Sequence, residues 1–285
     1  VRKSDWFALV ALCLLHPWTL AERPTAHVEI FPSAEVLPAN HLKFYIHFPE
    51  PMRQGVFLEY CTLLDERGGP VAEPFRETEL WSADRRRLTL WLHPGRQKTG
   101  VNLNVDLGPV LEPQHRYTLQ ISGAWPTGRG APLGADARKI FQTAERQTSR
   151  LDPARWKIVA PAAGTKQPLV IHFPAPLDHA LLGRCLVVRQ GRIPVEGRQW
   201  AKDHETVWAF EPSASWGAGD YFIRVQSILE DLAGNSLARP FEVDLQARPE
   251  DPGPAVREIP LRILPRPEPE SDPPVPIAKL KRLAE

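Results

Sequence analysis

The sequence predicts an all-β protein built as two tandem antiparallel β-sandwiches followed by a Pro-rich tail, and three observations predict it. Thirty-one prolines and 18 glycines among 285 residues argue against long helices, because proline fixes φ and has no N–H to donate. Apolar residues recur at every second position in short runs bounded by Pro/Gly turns, which is the period of half-buried strands. The same ordered set of blocks occurs twice along the chain, so whatever one half folds into, the other should fold into as well.

Residues 1–21 read as a secretory signal peptide. Arg2 and Lys3 precede the apolar run Trp6 to Leu15, His16 and Pro17 end it, and Thr19-Leu20-Ala21 offers a small-residue cleavage site. The run is about half the ~20 residues needed to cross a bilayer, so no transmembrane span is expected after cleavage. Cys13 follows Leu12 inside the run, where lipidation would need a small residue. Of three cysteines, cleavage would leave Cys61 and Cys185, too few for a disulfide-built scaffold. They occupy near-equivalent repeat positions and are expected as buried, unpaired thiols. With 35 basic and 34 acidic residues, the chain has no global field to draw nucleic acid or an anionic membrane. The excess of arginine over lysine hints at a GC-rich bacterial gene and does not bear on mechanism.

The repeat sets the units. Leu42 to Met52 (LKFYIHFPEPM) matches Leu169 to Leu177 (LVIHFPAPL), and YCTLLDERGGPV at 60–71 matches RCLVVRQGRIPV at 184–195. Further on, LWSADRRRLTLWLHP (80–94) pairs with QWAKDHETVWAFEP (199–212), and HRYTLQIS (115–122) with GDYFIRVQS (219–227). Each unit closes on a Gly-rich turn and a last strand, GRGAPLGADARKIFQT in the first and DLAGNSLARPFEVDL in the second. The offset between partners falls from 125 residues at Phe48 and Phe173 to 104 at Tyr117 and Tyr221. The first unit therefore carries an inserted loop, placed at 95–113. Unit boundaries are expected at 25–147 and 148–246. Phe44, Ile46 and Phe48 alternate with Tyr45 and His47; Leu88, Leu90 and Leu92 alternate with Thr89 and Trp91. Seven such strands per unit, at turn spacings of about 8 to 15, predict a two-sheet sandwich.

Phe173, Pro176 and Leu177, then Asp203, Tyr221 and Asp231-Leu232-Ala233-Gly234-Asn235 form a pattern that resembles the bacterial Ig-like domain of the S-layer-protein (SbsA) type. The first unit resembles it less, with Gly128 to Leu133 in place of the Asp-x-Ala-Gly-Asn turn. The resemblance implies two tandem Ig-like domains over about 220 residues. It implies a structural module of exported and cell-surface proteins rather than an activity.

His47 and His172 share a repeat position opposite the core-facing Phe48 and Phe173, with no acid or cysteine at ligand spacing, and are expected on solvated sheet faces. Asp231 and Asn235 supply hard oxygens, but the further ligands of a calcium shell are missing; both residues also initiate turns by bonding their own backbone. Arg85-Arg86-Arg87 beside Asp84 reads as a solvated turn. Trp81 and Trp200 recur at equivalent positions, as core residues would. Trp125 (AWPTG) and Trp216 (ASWGAG) lie in turn-rich contexts that a core does not explain. They and the inserted loop are the candidate binding surface. No phosphate loop, zinc motif, nucleophile elbow or Cys-x-x-Cys is present, so no catalytic residue, metal or cofactor is assigned.

The last segment, 247–285, is rich in proline and mixed charge and reads as an extended, largely disordered spacer. Two apolar islands interrupt it, Arg257 to Leu264 (REIPLRIL) and Ile277 to Leu283 (IAKLKRL). Either could dock on a partner, by adding a strand to a sheet edge or as a short basic helix. The function expected is that of an exported, non-catalytic structural or binding module, monomeric, in the periplasm or at the cell surface, with an envelope protein or cell-wall polysaccharide as partner. Two alternatives are a carbohydrate- or cell-wall-binding protein using Trp125, Trp216 and the inserted loop, and an envelope hydrolase with its site between the units.

Overall fold

The computed structural model describes residues 27–100, 102–242 and 253–265; the leader at 1–21 and the second tail island at 277–283 lie outside the described residues. The chain runs through β1 (Glu29–Phe31), β2 (Val36–Pro38), β3 (Lys43–His47), α1 (Phe57–Tyr60), β4 (Cys61–Leu64), β5 (Leu80–Trp81) and β6 (Arg87–Trp91). It continues through α2 (Pro94–Gln97), α3 (Asn102–Leu107), β7 (Arg116–Ile121) and β8 (Ala137–Ala144). After a 3-10 turn at Pro153–Arg155 come β9 (Lys157–Val159), β10 (Leu169–His172), α4 (His179–Cys185), β11 (Leu186–Gln190) and β12 (Ile193–Pro194). β13 (Gly197–Lys202), β14 (Val207–Pro212), β15 (Gly219–Gln226) and β16 (Val256–Ile263) complete it.

The strands form four-stranded sheets in the orders β1-β3-β6-β5, β2-β8-β7-β4, β13-β14-β10-β9 and β12-β11-β15-β16. All pairings are antiparallel except β2 on β8, which is parallel over three residues. Alternation produces the layers. Phe44 lies opposite Leu90 and Ile46 opposite Leu88, and these four face Leu63, Leu119, Ile121 and Phe141 of the partner sheet in one apolar core. Leu169, Ile171, Leu186, Val188, Trp208, Ile223 and Val225 build a second core in the same way. Full burial of such a side chain contributes about 1.5–3 kcal/mol. The protein is thus mostly β, with the layered sheets of an Ig-like sandwich. The order β1-β3-β6-β5 recurs as β9-β10-β14-β13, and β4-β7-β8 recurs as β11-β15-β16.

Cys61 and Cys185 are buried and unpaired, as expected. Three expectations need correction. The last strand of the second sheet pair does not come from the described part of LARPFEVDL, residues 237–242. Residues 239–242 are not a strand, because the chain there is drawn to the first core's surface: Phe241 lies under the Lys98 ammonium at 4.7 Å, and the Glu242 carboxylate accepts from Arg146 Nη2 at 2.5 Å. The place is taken by β16, from the segment read as a disordered spacer, in register with β15 over eight residue pairs. Its proline is tolerated for a reason of parity. Leu264 O accepts from Ala163 N–H on the side away from β15, so even-numbered residues of this strand, Pro260 included, turn their backbone outward and no ladder bond is lost. Ile259, Leu261 and Ile263 face the core.

The third correction concerns the inserted loop, which is not an irregular surface excursion. Over 95–113 it folds as α2 and α3 around Arg96, only 5 % exposed. The Arg96 guanidinium donates to the carbonyls of Ala72, Glu73, Leu107, Gly108 and Pro109. Gln97 Nε2 donates to His41 O at 2.6 Å, which ties the insertion to the start of β3.

Candidate functional site

Both tryptophans expected at a binding surface are core residues. Trp125 is completely buried, stacked on Tyr60 at 5.7 Å and edge-on to Phe48 and Trp81. Its indole N–H donates to Arg53 O at 3.0 Å. Trp216 is 3 % exposed, edge-on to Tyr221, and donates to Gln167 O at 2.8 Å. In each case a carbonyl from a distant segment satisfies the one polar atom, and the turn-rich sequence around the indole is what lets it reach inward. Neither can stack on a sugar.

The polar groups that do converge lie along a seam between the two cores. It is built on the outer face of β3, where alternation alone would put solvent. Asp178 caps α4 by accepting Leu181 N–H at 2.9 Å, and the same carboxylate accepts Tyr45 Oη–H at 2.9 and 3.0 Å. Lys43 Nζ pairs with Asp178 at 2.9 Å and with Glu230 at 3.0 Å, and lies 5.1 Å over the Trp91 ring. Burial works against the Lys43 ammonium, but Asp178, Tyr45 and Glu230 outweigh it and raise its pKa. Burial and then the Asp178 charge raise that of the Tyr45 phenol, so it stays protonated and donates.

Beside this cluster Phe31 stacks on the His179 ring at 3.6 Å, and His47 stands edge-on to both. His179 Nδ1 is 3.3 Å from Glu205 Oε1, and Glu205 also accepts Ser33 N–H at 2.8 Å. Burial would raise the Glu205 carboxyl, but these donors prevail and hold it below the usual carboxylate range. Asp203, His204 and Glu205 all have positive φ, 50°, 58° and 58°, a run that costs each of them strain. The tight turn it makes aims Glu205 and His204 at the N–H and carbonyl of Ser33. His47 is therefore a half-buried seam residue, whereas its repeat partner His172 is exposed.

The third part of the seam is the Asp231 to Asn235 turn. Asp231 accepts the backbone N–H of Ala233 and of Asn235 and the Asn235 side-chain amide, each at 2.9 Å. That is the turn chemistry expected of the pair. The turn also docks: Leu232 joins the first apolar core, Leu232 O accepts from Leu42 N–H at 3.1 Å, and Asn235 Nδ2 donates to Gln147 O at 3.0 Å. Gly234 has φ +80°, and a Cβ there would stand 2.4 Å from Leu42 Cδ1. Gly234→Ala is expected to lose about 1–2 kcal/mol from the left-handed backbone alone. The clash with Leu42 adds to that, and urea unfolding measures the total.

His41 sits under this turn, its Nδ1 3.2 Å from Leu232 O. Burial lowers its pKa from 6.5 to about 3, with Lys139 and Lys43 adding to the effect against the Leu232 carbonyl. The folded state thus keeps His41 neutral while the unfolded chain protonates it, so stability falls as pH drops below 6.5. Asp231 works the other way: burial raises its carboxyl to about 6, so the folded form takes up its proton first and gains stability as pH falls from there towards 3.8. The histidine displacement is the larger, and burial lowers His47 as well. Urea midpoints at about pH 7 and about pH 5 should therefore show a loss of stability in acid, and His41→Gln should reduce the difference.

Asp178, Glu205, Glu230 and Asp231 are all acceptors in contacts that join the two sides of the seam or fold its turns. Among the described residues no group of three or more His, Cys, Asp and Glu is disposed to hold a metal ion. A hollow of about 300 Å³ at the seam is lined by Asp152, Asp231, Arg146 and Arg155 among others and contains no histidine or cysteine. Sequence reasoning singled out Asp231, Asn235 and His47 of this region. It considered Glu230 only as added charge beside that turn, and it missed Lys43, Asp178 and Glu205, of which only Asp178 had a signal, as an N-cap before His179-Ala180-Leu181-Leu182.

No protein-family model and no curated protein matches the sequence. Among solved structures, the chain is similar to native alpha-2-macroglobulin of Escherichia coli at 12 % identity and a TM-score of 0.28, over 69 % of this chain and 13 % of that one. A fragment of the Escherichia coli protein spanning domains MG0-NIE-MG1 aligns at 13 % identity and a TM-score of 0.27, over 72 % of this chain and 66 % of that one. Titin domains z1z2 in complex with telethonin align at 12 % identity and a TM-score of 0.20, over 71 % and 90 %. The chain therefore spans a small part of the full-length macroglobulin it matches.

Proposed function

We propose that this protein is an exported, non-catalytic module of two tandem Ig-like sandwiches, of the kind found in S-layer proteins, that holds its two units as one rigid body and presents their outer surfaces to an envelope protein. The observation that carries the reading is the seam. It combines a buried Lys43–Asp178–Tyr45 cluster, a clasp of Glu205 on Ser33 and a leucine of one unit set into the core of the other. Flexible tandem domains share small polar contacts; here each side leaves buried groups that only the other side satisfies. A spacer needs that stiffness. Among the described residues no helix is long and apolar enough to cross a membrane.

Small-angle scattering of the mature chain is the test. One rigid elongated particle of monomer mass is expected, and a distribution of inter-unit angles would overturn the spacer role. Fusing residues 1–30 to a reporter active only outside the cytoplasm tests export. Capture of partners from the envelope fraction should compare the full chain with one ending at 265, since removal of everything after 246 would also remove β16.

A further inference from the structure

The sheet β2-β8-β7-β4 is closed along β8 for only part of its length. β2 pairs with Gln142 to Ala144, and on that side residues 137–141 have no partner strand among the described residues. Parity identifies the open groups. Gln142 N–H donates to Glu35 O and Ala39 N–H to Ala144 O, so even-numbered residues of β8 turn their backbone away from β7. Arg138 and Ile140 therefore present N–H and C=O to the open edge, and the Ile140 side chain is 58 % exposed.

Under this edge runs a groove of about 550 Å³ lined by Val28, Ile30, Leu133, Ile140 and Lys139 among others. Lys139 points inward and is 9 % exposed. Its ammonium donates to Ala34 O at 2.8 Å; Glu205 and Glu35, the latter on the groove wall with Asp136, act on it at longer range, and among the described residues no carboxylate comes within 4.0 Å of it. The corresponding strand of the second unit, β16, turns Pro260 outward, which removes the central donor of its edge and protects it from strand addition. β8 contains no proline.

We propose that the open edge of β8 is a docking site for an extended segment of a partner protein in which an acidic side chain has apolar ones two residues before and after it, on the same face of the strand. The segment adds as a strand facing Arg138 and Ile140, its apolar side chains enter the groove between Val28, Ile30 and Leu133, and its carboxylate meets Lys139. Main-chain bonds supply affinity in this mode and the alternate side chains supply specificity. The acid is assigned from charge complementarity, because a desolvated ammonium with a single carbonyl partner gains most from a charge-assisted bond. A second copy is a poor occupant: the edge itself reads Ala-Arg-Lys-Ile-Phe at 137–141 and would set like charges against each other. The site stands whether or not the protein is exported.

The experiment uses the full chain and two fluorescein-labelled peptides, Thr-Val-Thr-Glu-Thr-Val-Thr, whose Val and Glu side chains share one face of a strand, and the same peptide with Lys for Glu, followed by anisotropy. The Glu peptide should bind at least about tenfold more tightly. Ile140→Pro, which deletes an outward donor and leaves the β7 ladder intact, should weaken it by a similar factor. So should N-methylation of the peptide's edge-facing amides against the unaltered protein, a control that does not depend on the variant folding. Lys139→Met should bring the two peptides together, and bound peptide should slow hydrogen exchange at the amides of Arg138 and Ile140. Absence of saturable binding by the Glu peptide, equal binding of both peptides, or binding indifferent to Ile140→Pro and to N-methylation would each overturn the proposal.

Discussion

Asp178→Ala is expected to destabilise the protein by about 3–5 kcal/mol, the cost of removing one partner from a buried ion pair. The carboxylate is 2 % exposed and serves three donors at once: Lys43, Tyr45 and the N-terminus of α4. Its loss leaves the Lys43 ammonium with Glu230 alone and strands the Tyr45 hydroxyl. Asp178→Asn keeps an acceptor for the phenol and the cap and loses the charge, so it should fall between wild type and alanine. The combined variant Lys43→Met, Asp178→Leu should recover a large part of the loss, because a buried pair is often replaceable by apolar groups when both partners go together. Calorimetry distinguishes a seam effect from a local one: if the seam couples the cores, Asp178→Ala should split one unfolding transition into two. A single transition shifted by less than about 1 kcal/mol would mean that the cluster is solvated and the joint loose.

Arg96→Met is expected to cost about 3 kcal/mol or more, since hydrogen bonds to a charged group contribute about 1.5–3 kcal/mol each and do not simply add. Five carbonyls converge on this one guanidinium, and methionine fills the space while satisfying none of them. The damage should centre on residues 95–113 and on the Ala72-Glu73 segment whose carbonyls the guanidinium also holds. Thermal melts should show the loss, and limited proteolysis should show new cleavage within that insertion while the sheets resist. Arg96→Lys should rescue little, because an ammonium is a point donor and cannot reach carbonyls spread from Ala72 to Pro109.

The layers of this fold were legible because each strand carries its own evidence. Phe44 and Ile46, or Ile223 and Val225, mark the inward face by alternation, and the duplicated blocks mark which strands correspond. β16 carries the same alternation in Ile259, Leu261 and Ile263, but the surrounding prolines hid it; composition averages over a segment, whereas the ladder depends on the parity of one proline. The seam was illegible for a different reason. Tyr45 and Asp178, or Ser33 and Glu205, lie far apart in sequence, and nothing in the spacing of either tells which outer face another unit will cover. Trp125 and Trp216 misled in the opposite sense: their neighbours are turn formers, and the carbonyls that receive their indole N–H groups, those of Arg53 and Gln167, lie in segments with no local link to them.

Leu232 belongs to the first apolar core although it lies far beyond the strands that build the rest of that core. A chain that emerges N-terminus first from a ribosome therefore cannot finish its first core when the strands that build the rest of it have emerged. Completion waits for the Asp231 to Asn235 turn, and the second pair of sheets waits longer still, for β16. Such an arrangement ties completion of both cores to the last third of the described chain, so that truncation after residue 230 would leave each of them open.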